Sequence, residues 1–161
     1  EAVAWVHKNI GQYGNCEGIY IGGSSAGAYI SMLLCFDPGY FLQYGLPADI
    51  IKGYIHDAGQ PTTHFNVLRE RGIDSRRVII DEAAPIYHIG KAISYPPMMF
   101  IVSDNDMKNR YEQTQLILST LRHFEYDESK IFYRLMHGTH CHYSKTEELG
   151  KMIYEYIGNR K

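Results

Sequence analysis

Apolar residues recur along the chain at two spacings, which predicts alternating helices and strands. Where they recur every three or four positions, they lie on one face of an amphipathic helix. This spacing predicts helices over residues 2–13, 26–36 and 109–124, and a last helix with its apolar stripe at residues 149–157. Ser144 and Glu147 precede that last stripe at the spacing of a capping box, so we expect the helix to begin there.

Short stretches rich in β-branched and aromatic residues lie between the helices and predict strands. They cover residues 18–22, 51–56 and 130–136, while residues 97–103 are almost continuously apolar, as in a strand buried on both faces. Strands that alternate with helices predict an α/β fold: a mostly parallel sheet with helices on both faces. Functional residues of such sheets lie just beyond the carboxyl ends of the strands.

The length of 161 residues favours a single domain over residues 1–161. Residues 60–95 are less regular, and we interpret them as an insertion near the site, with a helix over residues 62–71 and a loop at 81–85. The net charge of −2 argues against a nucleic-acid surface or a basic membrane-binding patch. No apolar run approaches the roughly 20 residues that a spanning helix needs.

Three cysteines form an odd and widely spaced set, which argues against a disulfide framework. This favours a cytoplasmic protein, although a signal peptide that had been removed would leave no trace. Fourteen tyrosines are many for this length. Core packing and amphipathic surface account for most of them, and the alternative is an aromatic platform for carbohydrate.

The stretch Gly23-Ser24-Ser25-Ala26-Gly27 matches the G-x-S-x-G pattern of a nucleophile on a sharp strand-to-helix turn. A predicted strand precedes it and a predicted helix follows it, as that turn requires. Ser25 is the expected nucleophile. The Ala26 N–H, at the helix N-terminus, is the expected oxyanion donor, and Ser24 is a candidate substrate contact. The alternative is a Gly/Ser-rich turn or phosphate loop, but the Gly-Lys-Ser/Thr end of a Walker loop is absent.

A serine hydroxyl needs a base to accept its proton, and a histidine oriented by a carboxylate is the usual one. Asp106 follows the predicted strand 97–103 and is the expected acid, with Asp104 as the alternative. His140 follows the strand 130–136 and is the expected base, with His142 as the alternative. One of the two aspartates is expected to cap the next helix.

The residues of these loops also allow other interpretations. The histidines and the cysteine of residues 137–142 could form a metal site, but no second group of ligands stands at a supporting spacing, so none is predicted. His56 and Asp57 end a predicted strand, and His64 and Phe65 lie in the insertion. These four residues could line the site, although structural roles are favoured for each.

The serine, acid and histidine occur in the chain order typical of one superfamily. The stretches 19–27, 97–106 and 137–142, with Ala83-Ala84-Pro85, resemble the α/β-hydrolases, and within them the acetyl-esterase and hormone-sensitive-lipase-like group of esterases and lipases. The resemblance implies a serine carboxylic-ester hydrolase that acts through an acyl-enzyme and needs no cofactor. Its substrates would be small or short-chain esters, carbohydrate-linked esters among them. The alternatives are a serine peptidase of the same fold or a truncated, non-catalytic module.

The chain departs from this family at its start. Members usually carry several strands before the nucleophile, with a His-Gly-Gly loop that supplies a second oxyanion donor, and nothing here matches them. The chain therefore resembles the carboxyl-terminal portion of the fold, and its nucleophile strand should lie at a sheet edge. Exposed edges pair readily with other strands, so we expect either a homo-oligomer or a missing N-terminal segment that covers this edge.

Overall fold

The computed structural model of the protein describes residues 1–158. Its strands are β1 (Ile19–Ser24), β2 (Ile51–Asp57), β3 (Met98–Asn105) and β4 (Ile131–Thr139). Its helices are α1 (Ala2–Asn9), α2 (Ala26–Phe36), α3 (Gly39–Leu42), α4 (Phe65–Glu70), α5 (Arg110–His123) and α6 (Glu147–Gly158). Among these residues, no helix is long and apolar enough to cross a membrane.

The four strands form one parallel sheet in the order β1-β2-β3-β4. This confirms the predicted fold class, an α/β fold with a mostly parallel sheet. Because the strands are parallel and in chain order, the loops after all four strands emerge at the same end of the sheet. Among the described residues β1 is an edge strand, as the resemblance predicted.

Alternate side chains of the central strands supply two separate hydrophobic clusters, one on each face of the sheet. Tyr54 and Phe100 pack with side chains of α2 and α5 on one face. Ile55 and Ile101 pack with side chains of α6 on the other. Strands β2 and β3 are therefore buried on both faces, which is why the sequence of β3 is a continuous apolar run rather than an alternating one.

The beginning of the last helix differs from the prediction. Cys141 adopts a left-handed conformation and starts a short 3-10 helix, His142–Lys145. Ser144 lies within that turn, and α6 begins only at Glu147. The predicted capping box is therefore wrong, because the turn that follows the histidine loop occupies the residues that were expected to cap the helix. In the irregular stretch 60–95 the predicted helix is also shorter, and His64 caps it through its ring nitrogen Nδ1.

His56 of β2 is a buried imidazole in the apolar core. Its ring contacts those of Tyr54 and Phe100, at centroid distances of 5.7 and 4.9 Å. Nδ1 is 2.8 Å from the hydroxyl of Ser31, and Nε2 has no hydrogen-bond partner among the described residues. Burial lowers the pKa of His56 to about 3, so the ring is neutral at physiological pH.

Acidification should therefore destabilise the fold through His56. The unfolded state gains a proton near the ordinary pKa of 6.5, whereas the folded state gains it only near 3. The stability contributed by the neutral ring is complete above pH 6.5 and is lost as the pH falls, by about 2 kcal/mol at pH 5. Urea unfolding at pH 7 and pH 5 measures this loss. The variant His56→Asn should lose about 2 kcal/mol less than the parent over that interval, and equal losses would contradict this account.

Candidate active site

Ser25 occupies a strained turn between β1 and α2. Its φ of 55° and ψ of −114° are unusual for a residue with a side chain. The Ser25 N–H donates to the main-chain oxygen of Asp57 at 2.8 Å, and the main-chain oxygen of Ser25 accepts from the N–H of Tyr29 at 3.1 Å. The backbone is thus held by the neighbouring strand on one side and by the helix on the other. The hydroxyl makes no capping bond to the helix, which leaves it available to another side chain.

Gly23 allows the turn to close. A Cβ at position 23 would lie 2.4 Å from the carbonyl carbon of Gly27, in the first turn of α2. A Cβ at position 27 would meet nothing within 4 Å. The strand and the helix therefore approach too closely for any residue but glycine at position 23, whereas position 27 has room for a side chain.

The structure brings Ser25, His140 and Asp106 together. The ring nitrogen Nε2 of His140 lies 2.9 Å from the Ser25 hydroxyl, and Nδ1 lies 2.6 Å from Oδ1 of Asp106. The imidazole is about one quarter exposed, whereas the Asp106 side chain is only 1% exposed. One neutral imidazole can accept the hydroxyl proton at Nε2 while its Nδ1–H donates to the carboxylate.

A bulge in the sheet aligns His140 with Asp106. Ser103 pairs with Met136, and the next recorded pair is Asn105 with Thr139, so β4 advances three residues while β3 advances two. Gly138 lies in this bulge at a φ of 113°, which glycine adopts without strain. The extra residue places His140, which follows Thr139, beside Asp106, which follows Asn105.

Hydrogen bonds hold the Asp106 carboxylate in one orientation. Oδ1 accepts from the Met107 N–H at 2.7 Å, and Oδ2 accepts from the Ser103 hydroxyl at 2.9 Å. Asp104, the alternative acid, is exposed and contacts a different histidine. One of its oxygens is 2.6 Å from Nδ1 of His137, and the other accepts from the Gly138 N–H at 3.0 Å. The carboxylate bonded to His140 is therefore that of Asp106.

His142, the alternative base, lies in the 3-10 helix with its ring beside Gly138. Ala26, the expected oxyanion donor, is the exposed first residue of α2. At this position the backbone N–H has no acceptor within the helix, and it lies at the positive end of the helix dipole.

The buried side chains of Asp57 and Tyr143 form a polar cluster with Ser24, the exposed last residue of β1. The hydroxyls of Ser24 and Tyr143 donate to different oxygens of the Asp57 carboxylate, which is 2% exposed. Burial raises the pKa of Asp57, and these two hydrogen bonds oppose the increase. From the sequence, Asp57 was predicted to end a strand, with a structural role favoured over a role in the site, and Tyr143 was not singled out. Its position three residues after His140 was the only signal, because its partner belongs to another strand.

Arg110 is a buried cation beside the same site. It is 5% exposed, Nη1 has no hydrogen-bond partner among the described residues, and Nη2 lies 4.0 Å from the sulfur of Met107. Burial lowers the pKa of Arg110, and the carboxylate of Asp106 acts in the opposite direction. Sequence reasoning missed this residue, since an arginine at the start of a helix is usually exposed.

The loop before α4 packs against the helix that follows Ser25. The ring of His64 lies 5.0 Å from that of Tyr29 and 4.3 Å from that of Phe65. The Tyr29 hydroxyl donates to the main-chain oxygen of Ala83. His64 is buried and Phe65 is half-buried. Burial is the main cause that lowers the pKa of His64, so the ring favours its neutral form.

Metal ligands are not grouped in this region: across residues 1–158, no three His, Cys, Asp or Glu side chains are arranged to hold an ion.

Comparison with solved structures finds the same architecture in hydrolases at low sequence identity. A thermophilic esterase from the Planctomycetes species Thermogutta terrifontis superposes with a TM-score of 0.69 and 18% identity, over 98% of this chain and 61% of the esterase. The acylaminoacyl peptidase of Pyrococcus horikoshii superposes with a TM-score of 0.67 and 16% identity, over 99% of this chain and 26% of the peptidase. The chain has an α/β-hydrolase-like fold.

The same esterase has also been solved phosphoramylated by tabun, and that form superposes with a TM-score of 0.65 and 18% identity, over 98% of this chain and 62% of the esterase. The chain thus spans about three fifths of the esterase's length. No protein-family model and no curated protein matches the sequence.

The turn of this α/β-hydrolase-like fold gives a matched pair of variants. Gly23→Ala introduces a backbone clash, so it should lower the free energy of unfolding by about 3 kcal/mol. Gly27→Ala adds the same methyl group in open space on a helix, where it should raise stability by up to about 1 kcal/mol. Urea unfolding monitored by circular dichroism measures both. Equal destabilisation by the two substitutions would contradict the assignment of the crowding to position 23.

Proposed function

We propose that this protein is a serine carboxylic-ester hydrolase that acts through an acyl-enzyme on small or short-chain esters. The observation that carries the proposal is the bridge made by His140, 2.9 Å from the Ser25 hydroxyl and 2.6 Å from the Asp106 carboxylate. A serine hydroxyl becomes an effective nucleophile when a correctly oriented base accepts its proton. The hydrolase activities of the structural neighbours agree with this chemistry.

Acylation begins when the Ser25 oxygen attacks the ester carbonyl carbon and its proton moves to Nε2 of His140. Asp106 accepts a hydrogen bond from Nδ1–H, which keeps the ring in the reactive tautomer and stabilises the imidazolium. The Ala26 N–H donates to the oxyanion of the tetrahedral intermediate. That intermediate collapses when the imidazolium protonates the leaving alcohol, which leaves the acyl group on Ser25.

Deacylation repeats these steps with water. His140 removes a proton from the water molecule as it attacks the acyl-enzyme, and the second tetrahedral intermediate expels the Ser25 oxygen, which recovers its proton from Nε2. Every bond and proton transfer in the proposed cycle therefore involves only Ser25, His140, the substrate and water, and no cofactor takes part.

A serine peptidase of the same fold is the second candidate. The three side chains act on an amide as they do on an ester, and the acylaminoacyl peptidase of Pyrococcus horikoshii shares the fold at a TM-score of 0.67. Turnover of p-nitrophenyl acetate and butyrate without turnover of acyl-peptide p-nitroanilides would favour the esterase. The reverse preference would favour the peptidase.

A fluorophosphonate probe tests whether Ser25 is activated. The parent protein should be labelled covalently at one site, because the probe reacts with serines whose proton is removed by a neighbouring base. Ser25→Ala should abolish labelling, and Ser119→Ala, which changes an exposed serine of α5, should retain it. Labelling that persists in Ser25→Ala, or an unlabelled parent protein, would refute the proposal. Intact-mass spectrometry and peptide mapping provide the measurement.

Paired substitutions test which aspartate serves the base. Asp106→Asn should lower kcat for p-nitrophenyl acetate by about 10³–10⁴-fold, because the amide no longer favours the reactive tautomer. Asp104→Asn removes a carboxylate bonded to His137 rather than to His140, so kcat should change less than about threefold. A larger loss in Asp104→Asn than in Asp106→Asn would assign the acid role to Asp104.

A further inference from the structure

Asp57 ends the strand between the one that carries the nucleophile and the one that carries the acid. Its main-chain oxygen accepts the Ser25 N–H at 2.8 Å. The next residue, Ala58, has a φ of 51°, and its N–H donates to the Ile101 oxygen of β3 at 2.7 Å. The Asp57 backbone therefore lies at the centre of the end of the sheet on which the proposed site is built.

The two oxygens of its carboxylate are bonded to two different parts of that site. Oδ2 accepts from Ser24, which immediately precedes the nucleophile, and Oδ1 accepts from Tyr143, which is three residues after the base. A single buried side chain thus connects the turn after β1 with the loop after β4. Those two segments carry the two atoms, Ser25 Oγ and His140 Nε2, between which the proton must move.

A carboxylate is an expensive group to bury unless its hydrogen bonds are specific. Asp57 is 2% exposed. Within residues 1–158, it forms no ion pair with a basic side chain. The Asp106 carboxylate, which is near enough to raise the pKa of Asp57, adds to the cost of ionisation. An apolar residue would fill this position at a lower cost if packing were its only role.

We propose that Asp57 is a positioning residue, which acts through Ser24 and Tyr143 to hold the nucleophile turn and the base loop at hydrogen-bonding distance. This role rests on the proposed function. The positioning by Asp57 affects the rate of the proposed reaction because the turn and the loop belong to strands at opposite edges of the described sheet, β1 and β4. A misplacement of about 1 Å between reacting groups costs up to about a hundredfold in rate.

The experiment compares fluorophosphonate labelling and ester hydrolysis in Asp57→Asn, Tyr143→Phe and the double variant. Each single variant should lower the labelling rate constant and kcat by about tenfold to a hundredfold, with KM changed less than twofold. The double variant should be no slower than Asp57→Asn, because both substitutions break one connection.

Tyr54→Phe is the matched control. Tyr54 lies on the same strand as Asp57, is equally buried, and donates its hydroxyl to the main-chain oxygen of Leu34 at 3.2 Å, away from the site. This control should lower the melting temperature about as much as Tyr143→Phe does while leaving labelling and kcat unchanged. If Asp57→Asn and Tyr143→Phe lower the melting temperature but not kcat, Asp57 has only a packing role and the proposal is overturned.

Hydrogen exchange separates failure of this inference from failure of the proposed function. Asp57→Asn should speed amide exchange in both residues 22–29 and residues 139–146, whereas Tyr54→Phe should affect neither. If Asp57→Asn speeds exchange in both segments but the parent protein is not labelled, the connection through Asp57 stands and the serine-hydrolase proposal is refuted. A parent protein that is labelled, with variants that exchange and react normally, would refute the role of Asp57 alone.

Discussion

The sharp turn between β1 and α2 is the constraint on which the rest of the site depends. Ser25 adopts a backbone conformation that is costly for a residue with a side chain. The turn persists because Gly23 lets the strand meet the first turn of the helix, and because the Ser25 amide is bonded to β2. The strain keeps the hydroxyl out of the helix cap and directs it toward the loop after β4. In a relaxed turn, the same serine would act as an ordinary N-cap of α2.

The parallel sheet converts distant sequence positions into neighbours. Ser25 and His140 are 115 residues apart in the chain, and the Oγ atom of Ser25 lies 2.9 Å from Nε2 of His140. The buried strands β2 and β3 separate β1 from β4, and clusters on both faces of the sheet hold all four strands in register. The geometry of the site is thus a consequence of core packing as much as of its own hydrogen bonds.

Three charged side chains are buried near this end of the sheet. Asp57, Asp106 and Arg110 are each nearly inaccessible to solvent. Asp106 accepts hydrogen bonds from a main-chain N–H and a serine hydroxyl, and Asp57 accepts them from two hydroxyls. Groups of this kind are costly in an apolar interior, and their partners come from several strand ends. The site and the fold therefore stabilise one another, since Asp57 meets Ser24 and Tyr143, and Asp106 meets His140, only when the strands are in register.

The sequence by itself determined the order and type of the main elements, because helical and strand periodicities and continuous apolar runs are local properties of the chain. It also predicted a nucleophile turn at Ser25, because such a turn requires glycine and small residues at fixed spacing. It favoured Asp106 over Asp104 and His140 over His142, but it left both alternatives open because neighbours in a loop have the same local chemistry. Tertiary structure decided which of these side chains are in contact, through the bulge at Gly138, where Asn105 pairs with Thr139 and His140 lies beside Asp106. Tyr143 and Arg110 were found only in the folded chain, because their importance arises from burial against residues of other strands, and burial is a property of the packed fold.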